Sequence, residues 1–131
     1  MKKKEDFLLV GHLQVMDEPL SSLYTDSISG KFFLFVRICD GLYKEAFVLS
    51  EVKPASVLEY MNGHLGLKSI FSSSPTYYYK RGEETTLATD LFSPLSQDQA
   101  VLRINNEYPN DMFDRRLAYR SVSLKNYLRN L

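Results

Sequence analysis

The residues that could form a nucleophilic site are one cysteine, Cys39, and two histidines, His12 and His64. A reactive cysteine needs a cationic neighbour or a helix terminus that favours its thiolate, and a base within hydrogen-bond reach. Cys39 instead precedes Asp40, whose carboxylate disfavours a second negative charge nearby. We interpret Cys39 as a structural residue at a strand end, and the sequence predicts no catalytic residue.

A metal site would need ligands that this sequence does not place together. Structural zinc is usually held by four Cys or His residues in closely spaced pairs, and the chain has one cysteine and two histidines. Adjacent carboxylates occur as Asp17-Glu18 and Glu83-Glu84, and such loop pairs are typical of solvated turn charge rather than of acid–base catalysis. We therefore expect no bound metal and no cofactor, and rank enzymatic function third.

An aromatic and basic run is the first candidate for a binding surface. Three tyrosines, Tyr77 to Tyr79, precede Lys80 and Arg81. If the run is a strand, alternation places Tyr77 and Tyr79 on the same face. Such rings could pack in a core, form a protein interface, where tyrosine and arginine are enriched, or stack on bases while the cations contact phosphates. These three interpretations stay open at this stage.

The C-terminal residues form a second candidate surface. From Met112 onward there are five basic residues and one acidic residue. Four leucines fall at roughly helical spacing in the same stretch, namely Leu117, Leu124, Leu128 and Leu131. The segment could pack on its own domain, dock a partner or lie on nucleic acid. Across both candidate surfaces, the predicted partner-binding residues are Tyr77, Tyr79, Lys80, Arg81, Arg115, Arg116, Tyr119 and Arg120.

Composition favours one domain in a reducing compartment. The 131 residues suffice for a single core, and 16 basic residues balance 16 acidic ones, which disfavours a whole-molecule nucleic-acid footprint. Lys2-Lys3-Lys4 resembles the start of a secretion signal, but acidic residues and a short apolar run follow. No stretch approaches the roughly 20 apolar residues of a membrane span. We therefore expect no membrane contact. The single cysteine excludes an internal disulfide, which favours a reducing compartment, so we expect a cytoplasmic protein.

Apolar patterning and turn residues predict an antiparallel sheet. Alternating or β-branched runs predict strands over 7–14, 20–25, 31–38, 42–49, 76–80 and 101–104. The run 31–38 is the most apolar of these. Asp40-Gly41 then predicts a hairpin, because both residues tolerate positive φ.

Capping residues predict the helices. Ser50 is a candidate N-cap for a helix that passes through Pro54 and ends at Asn62-Gly63, followed by a short element over 65–71. Asp111 and Asp114 indicate the start of a C-terminal helix. The predicted fold class is α+β, with an antiparallel sheet of four to six strands, one main helix, one short helix and a C-terminal helical appendage. We predict a single domain over 1–105 and a basic amphipathic helical segment over 106–131.

The order of these motifs is similar to that in a known family. A proline-containing turn at 17–20 precedes the hairpin over 31–49, the Ser50 cap and a Gly-x-(Leu/Ile)-x-Leu-x-x-x-Phe element over 63–71. Over about residues 7–105 the chain resembles an uncharacterised family of small bacterial α+β domains (DUF6575-like). The resemblance implies a bacterial or mobile-element source and a small α+β fold. It implies no activity, cofactor or site residue.

Two functions remain as expectations. The favoured one is a non-enzymatic protein-binding module, such as an immunity, antitoxin or inhibitor-like partner, with a protein partner or a second copy of the chain bound to it. Neutral net charge and interface-type residues motivate this expectation. The alternative is a nucleic-acid-binding regulator that uses the tyrosine, lysine and arginine surface.

Overall fold

A six-stranded antiparallel sheet forms the centre of the computed structural model, which describes residues 6–41, 45–81 and 90–131, with the backbone alone of 81, 90 and 91. Each strand pairs with the next along the chain, so the sheet order is the sequence order. The strands are Phe7–Met16 (β1), Glu18–Asp26 (β2), Phe32–Arg37 (β3), Glu45–Val52 (β4), Thr76–Arg81 (β5) and Asp90–Leu95 (β6). The predicted α+β class with an antiparallel sheet is confirmed.

Helices cover one face of this sheet. They are Pro54–Met61 (α1), Leu67–Phe71 (α2), Gln97–Glu107 (α3) and Ser121–Arg129 (α4), with a 3-10 turn at Arg115–Leu117. Strand residues such as Leu34 and Val48 share one buried core with Tyr60 of α1 and Ile104 of α3. Burial of this face supplies most of the apolar contact that holds the helices to the sheet. None of the described helices is both long and apolar enough to span a membrane.

The other face carries a cluster of aromatic rings. Its buried members, which we call the aromatic cluster, are Phe7, Phe33, Phe35, Phe47, Leu49 and Tyr79. The ring centroid of Phe7 in β1 lies 5.2 Å from that of Phe35 and 6.0 Å from that of Phe92 in β6. Since β1 and β6 are the two edge strands, the sheet curls until its edges approach each other over the rings. This curl buries rings on a face that an open, flat sheet would expose.

Between residues 90 and 107 the structure differs from the predicted elements. Residues 101–104, predicted as a final strand, lie inside α3, whose N-cap Ser96 accepts a hydrogen bond from the Gln99 N–H. Ala100 and Ile104 lie four residues apart on its buried side, a helical period that the brief apolar run concealed. The predicted domain boundary at residue 105 also falls inside this helix. The last strand, β6, was not predicted; it contains Pro94, which an edge strand tolerates.

Ser50 is a strand residue and not a helix cap. Its side chain is buried within β4, which continues to Val52, and α1 begins at Pro54 after the N-cap Lys53. The predicted helix end at Asn62 is confirmed. Residues 42–44 of the predicted hairpin and the adjacent carboxylates Glu83-Glu84 lie outside the described residues.

The C-terminal segment packs on the helical face. Leu124 and Leu128 of α4 are buried in the same core as the sheet, whereas Leu131 is exposed. The carboxylate of Asp114 caps the 3-10 turn by accepting from the Arg116 N–H, and α4 begins later, at Ser121. In place of the single helix predicted to start near Asp111 and Asp114, the structure has a 3-10 turn at Arg115–Leu117 and then α4 from Ser121.

A second contact fastens this segment to α2. Asp111 accepts hydrogen bonds from two N–H groups at the start of α2, with its backbone carbonyl from Leu67 at 3.0 Å and its carboxylate from Lys68 at 2.8 Å. The N-cap position of α2 is Gly66, and a Cβ built there would lie 2.4 Å from the Asp111 carboxylate. The absence of a side chain at Gly66 therefore makes room for a cap that comes from another part of the chain.

We expect Asp111→Ala to lower the free energy of unfolding by about 1 kcal/mol, the usual value of a helix cap. Adding Gly66→Asp to that variant should restore most of the loss, because an aspartate at the N-cap reaches the same Lys68 N–H. Gly66→Asp alone should not stabilise, since two carboxylates then compete for one site. Urea unfolding of the four proteins measures these differences, and a double variant no more stable than Asp111→Ala would contradict the capping role.

A buried polar contact joins α1 to β1. The Tyr60 hydroxyl donates to Gln14 Oε1 at 2.6 Å, and the Ser21 hydroxyl donates to the same oxygen at 3.0 Å. Burial raises the pKa of Tyr60 well above its ordinary value. The pKa of Tyr108, whose hydroxyl donates to the Arg37 carbonyl, is raised mainly by burial as well. Both phenols are therefore held in their neutral form in the folded protein.

These raised pKa values predict a loss of stability in alkali. Above about pH 10 an unfolded tyrosine releases its proton while the folded one keeps it, so the free energy of unfolding falls by about 1.4 kcal/mol per pH unit for each group. Tyr60→Phe removes the hydrogen bond to Gln14 and should lower the free energy of unfolding by about 1 kcal/mol at neutral pH. Above pH 10 the free energy of unfolding of this variant should fall less steeply with pH than that of the wild type. Unfolding curves at pH 7, 10 and 11 measure both effects, and equal slopes in the two proteins would contradict the burial of this phenol.

Candidate functional site

A groove of about 780 Å³ lies between β1 and the C-terminal segment. Its lining residues define what we call the β1–α4 groove: Leu9, Val10, Gly11, His12, Thr25, Tyr119, Arg120, Ser123, Leu124 and Tyr127. Leu9 and His12 pair with Tyr24 and Ser22 on the aromatic face, whereas Gly11 pairs with Leu23 of the helical core. Lining residues thus come from both faces of the sheet, which places the groove along the edge of β1.

An irregularity in β1 shapes the strand side of the groove. The pairing with β2 shifts register between Leu9 and Gly11, so one extra residue, Val10, is accommodated there as in a β-bulge. A Cβ built at Gly11 would lie 3.4 Å from the Leu124 side chain of α4, an ordinary van der Waals distance, so α4 packs against this position. The strand and the helix therefore meet at Gly11, at the base of the groove.

The C-terminal side of the groove is held by a short antiparallel contact with β1. Gln14 forms an isolated bridge with Ala118, and the Tyr119 N–H donates to the Leu13 carbonyl at 3.0 Å. The chain then turns sharply at Arg120, whose φ of 46° lies in the left-handed region, and α4 follows. This conformation is strained for any residue with a Cβ. The turn moves the chain from the strand edge into a helix that borders the groove.

Aromatic and cationic side chains surround the opening. The His12 ring lies edge-on to the Tyr119 ring at 6.1 Å, and its Nδ1 is hydrogen-bonded to the Ser22 hydroxyl at 2.6 Å. The guanidinium of Arg120 lies 5.3 Å from the Tyr119 ring centroid, a cation–π distance. Tyr127 stands on α4, close to the same opening. These groups could contact an aromatic, apolar or anionic part of a ligand.

Large apolar side chains are exposed around the groove. Leu9 is 50% exposed, Tyr119 39% and Tyr127 46%. The described residues that line the groove include no carboxylate, and Arg120 carries their one permanent charge. The groove is therefore an apolar and aromatic surface with a positive group at one side. A mostly apolar and aromatic lining with a few polar groups is typical of ligand sites.

The structure brings two of the predicted partner-binding residues into this groove, Tyr119 and Arg120. Arg115 and Arg116 are exposed in the neighbouring 3-10 turn. The Arg116 guanidinium donates two hydrogen bonds to the Asp114 carboxylate, at 3.1 and 2.9 Å. Hydrogen bonds from Arg116 hold the pKa of Asp114 below its usual value. Arg116 is thus already paired within its own turn.

The predicted residues of β5 are placed elsewhere. Tyr79 is completely buried in the aromatic cluster, so its ring cannot serve as an exposed partner contact, which corrects that expectation. Tyr77 is partly buried and stacks on Phe92 at a centroid distance of 5.0 Å. The Lys80 ammonium lies 5.3 Å from the Tyr78 ring centroid. Arg81 ends β5, and its side chain lies outside the described residues. These residues line β5 and not the β1–α4 groove.

The residues first considered for chemistry do not converge. Cys39 is exposed after β3, where its N–H donates to Glu107 at 2.9 Å. His64 is exposed, 3.5 Å from Glu59, far along the chain from His12 in β1. Within residues 6–41, 45–81 and 90–131, no three His, Cys, Asp or Glu side chains form a group that could hold a metal ion. Cys39 lies two residues beyond Arg37, the last residue of β3.

Sequence reasoning missed Leu9, His12 and Tyr127 as groove residues. Leu9 and His12 were assigned to an ordinary alternating strand, and Tyr127 stands directly before Leu128 of the buried leucine stripe. A weak signal was present, since an apolar side chain beside a stripe that is already apolar widens the hydrophobic face of a helix. The groove itself depends on the contact between β1 and residues more than one hundred positions later.

Comparison with known proteins finds no matching family model, no matching curated protein and no matching solved structure. The resemblance to the DUF6575-like family therefore stays a prediction.

The strained backbone at Arg120 predicts an unusual mutational response. Arg120→Gly should raise the free energy of unfolding by about 1 kcal/mol, because glycine adopts the left-handed conformation without a steric penalty. Arg120→Ala keeps the Cβ and should give no such increase. Asp17→Gly, at the other non-glycine residue with positive φ among the described residues, is a matched control outside the groove and should stabilise less, since the steric penalty is smaller for aspartate. Chemical denaturation measures all three, and Arg120→Gly less stable than Arg120→Ala would contradict the strain.

Proposed function

We propose that the chain is a non-enzymatic protein-binding module, and that its partner docks in the β1–α4 groove. The observation that carries this proposal is the concentration of exposed Leu9, Tyr119 and Tyr127 around one open groove with Arg120 beside them. Tyrosine and arginine are enriched at the energetic centres of protein interfaces. Burial of half-exposed aromatic and aliphatic side chains provides the free energy of association.

The position of the basic residues supports a protein partner over nucleic acid. Nucleic-acid affinity depends on several cations that neutralise phosphates together. In this chain Arg116 is paired with Asp114, and Lys80 lies on β5 rather than beside the groove. The sequence as a whole has no net charge. An apolar docking surface with one cation is better suited to binding a protein than to binding the phosphate backbone of a nucleic acid.

A small, single-sheet module that presents an open groove suits an accessory protein that acts by binding to another protein. An immunity, antitoxin or inhibitor-like role in a bacterium or mobile element is the finer form of this proposal. It rests on the resemblance of residues 7–105 to small bacterial α+β domains. The cytoplasm is the proposed compartment, on the basis of the single cysteine.

The test compares affinity capture by three tagged proteins from lysate of the source cells, each with and without nuclease treatment. The groove variant is Leu9→Ser with Tyr127→Ala, two exposed positions whose change leaves the core intact. The control variant is Ile28→Ser with Val122→Ser, which removes apolar side chains that are more exposed than the groove pair and do not line the groove. We expect a stoichiometric protein with the wild type and the control, and about a tenfold or greater loss with the groove variant.

Equal capture by all three proteins would place the partner elsewhere and overturn the docking site. Recovery that disappears with nuclease would instead favour the nucleic-acid-binding regulator. Circular dichroism and unfolding curves of each variant establish that a lost interaction is not a lost fold.

A further inference from the structure

We propose that the β1–α4 groove binds an extended acidic peptide segment of the partner, which pairs with the edge of β1 as an added strand. This inference rests on the proposed function and specifies the part of the partner that is bound. Strand addition uses backbone hydrogen bonds for affinity and alternate side chains for specificity. The edge of β1, the charge of the lining and the path of the C-terminal segment all support it.

The chain itself already adds backbone to this edge. Ala118 and Tyr119 pair with Gln14 and Leu13 on the outer side of β1. Among the described residues, the carbonyl of Leu13 is the β1 group that accepts a backbone hydrogen bond from outside the β1–β2 ladder. Arg120 then turns the chain away, so the C-terminal segment stops pairing where the groove begins. The edge from Leu8 to Gly11 continues along that groove.

The dimensions suit a short strand. Residues 8–11 of β1 extend over about 14 Å at the usual rise of about 3.4 Å per residue. A peptide of about four residues could pair there, with its side chains directed alternately toward Tyr127 and away from it. The bulge at Val10 interrupts the regular edge. Bulges of this kind suppress indiscriminate strand pairing, so side-chain contacts must contribute to recognition.

Charge selects an acidic segment. The described lining residues include Arg120 and no carboxylate, and the stretch from Met112 onward has five basic residues against one acidic residue. A peptide carboxylate near Arg120 gains a charge-assisted hydrogen bond. A second copy of this chain fits less well, because an antiparallel pairing of two β1 edges would bring two basic C-terminal segments together. The occupant is therefore a different chain with acidic residues.

The test uses random dodecapeptides displayed on phage and selected on the folded full chain. We expect selected sequences to contain an acidic residue and apolar residues at alternating positions. A fluorescein-labelled synthetic version should bind the chain in an anisotropy titration. N-methylation of every second backbone nitrogen of the peptide should abolish binding when those N–H groups face β1. Methylation of the intervening nitrogens should be tolerated, because a strand directs alternate N–H groups toward its neighbour.

Substitutions in the chain test whether the positive charge of Arg120 contributes to peptide affinity. Arg120→Ala should weaken the selected peptide about tenfold or more, which is the fold-change expected for a lost charge-assisted hydrogen bond. Arg120→Lys should recover part of that affinity. Arg115→Ala is the matched control, since Arg115 is an exposed arginine of the same segment outside the groove. Its loss should change the affinity by less than about twofold, because an exposed charge outside the groove contributes only screened attraction.

Other results would overturn the inference. These are no selected peptide, a motif with helical i, i+4 spacing, insensitivity to N-methylation, or equal losses with Arg115→Ala and Arg120→Ala. A dimer of the chain alone, detected by light scattering and dissociated by Leu9→Ser, would assign the groove to a second copy. If such results occurred while groove-dependent capture of a partner persisted, the binding function would stand and strand addition would fail. Loss of groove-dependent capture would remove both.

Discussion

Burial of Leu124 and Leu128 in the helical core is the interaction on which the rest of the candidate site depends. These two leucines hold α4 against the face of the sheet, and the Tyr119–Leu13 backbone hydrogen bond fixes the residues before α4 at the edge of β1. The cap that Asp111 provides to α2 fastens the same segment at a further point. Without this docking there would be a sheet edge and a basic segment, but no groove between them.

The docking also explains a local cost. The chain passes from a strand edge into a helix within one residue by adopting a left-handed conformation at Arg120. This conformation is sterically unfavourable for arginine, because its Cβ approaches the following carbonyl oxygen. Glycine would satisfy the backbone better. An arginine at this position instead places a guanidinium beside Tyr119 and the groove. Strain of this kind tends to be found at functional sites, which agrees with the role proposed for this side chain.

Local patterns in the sequence were sufficient for most of the sheet but not for its ends. The apolar run 31–38 and the turn residues Asp17, Asp40 and Gly41 identify strands because alternation and turn chemistry are local properties. Residues 101–104 were assigned wrongly, since four apolar-rich positions fit a strand and a helix equally well. The buried position of Tyr79 followed from the curl of the sheet, which brings Phe7 of one edge to Phe92 of the other.

The sequence by itself determined the fold class and the central strands, because these depend on residue types and short-range spacing. It also identified Tyr119 and Arg120 as candidate binding residues from their chemistry. The tertiary structure alone decided that they meet Leu9 and His12 of β1. The physical reason is that packing of α4 on the core selects which distant residues become neighbours, and this selection depends on the three-dimensional fit of buried side chains.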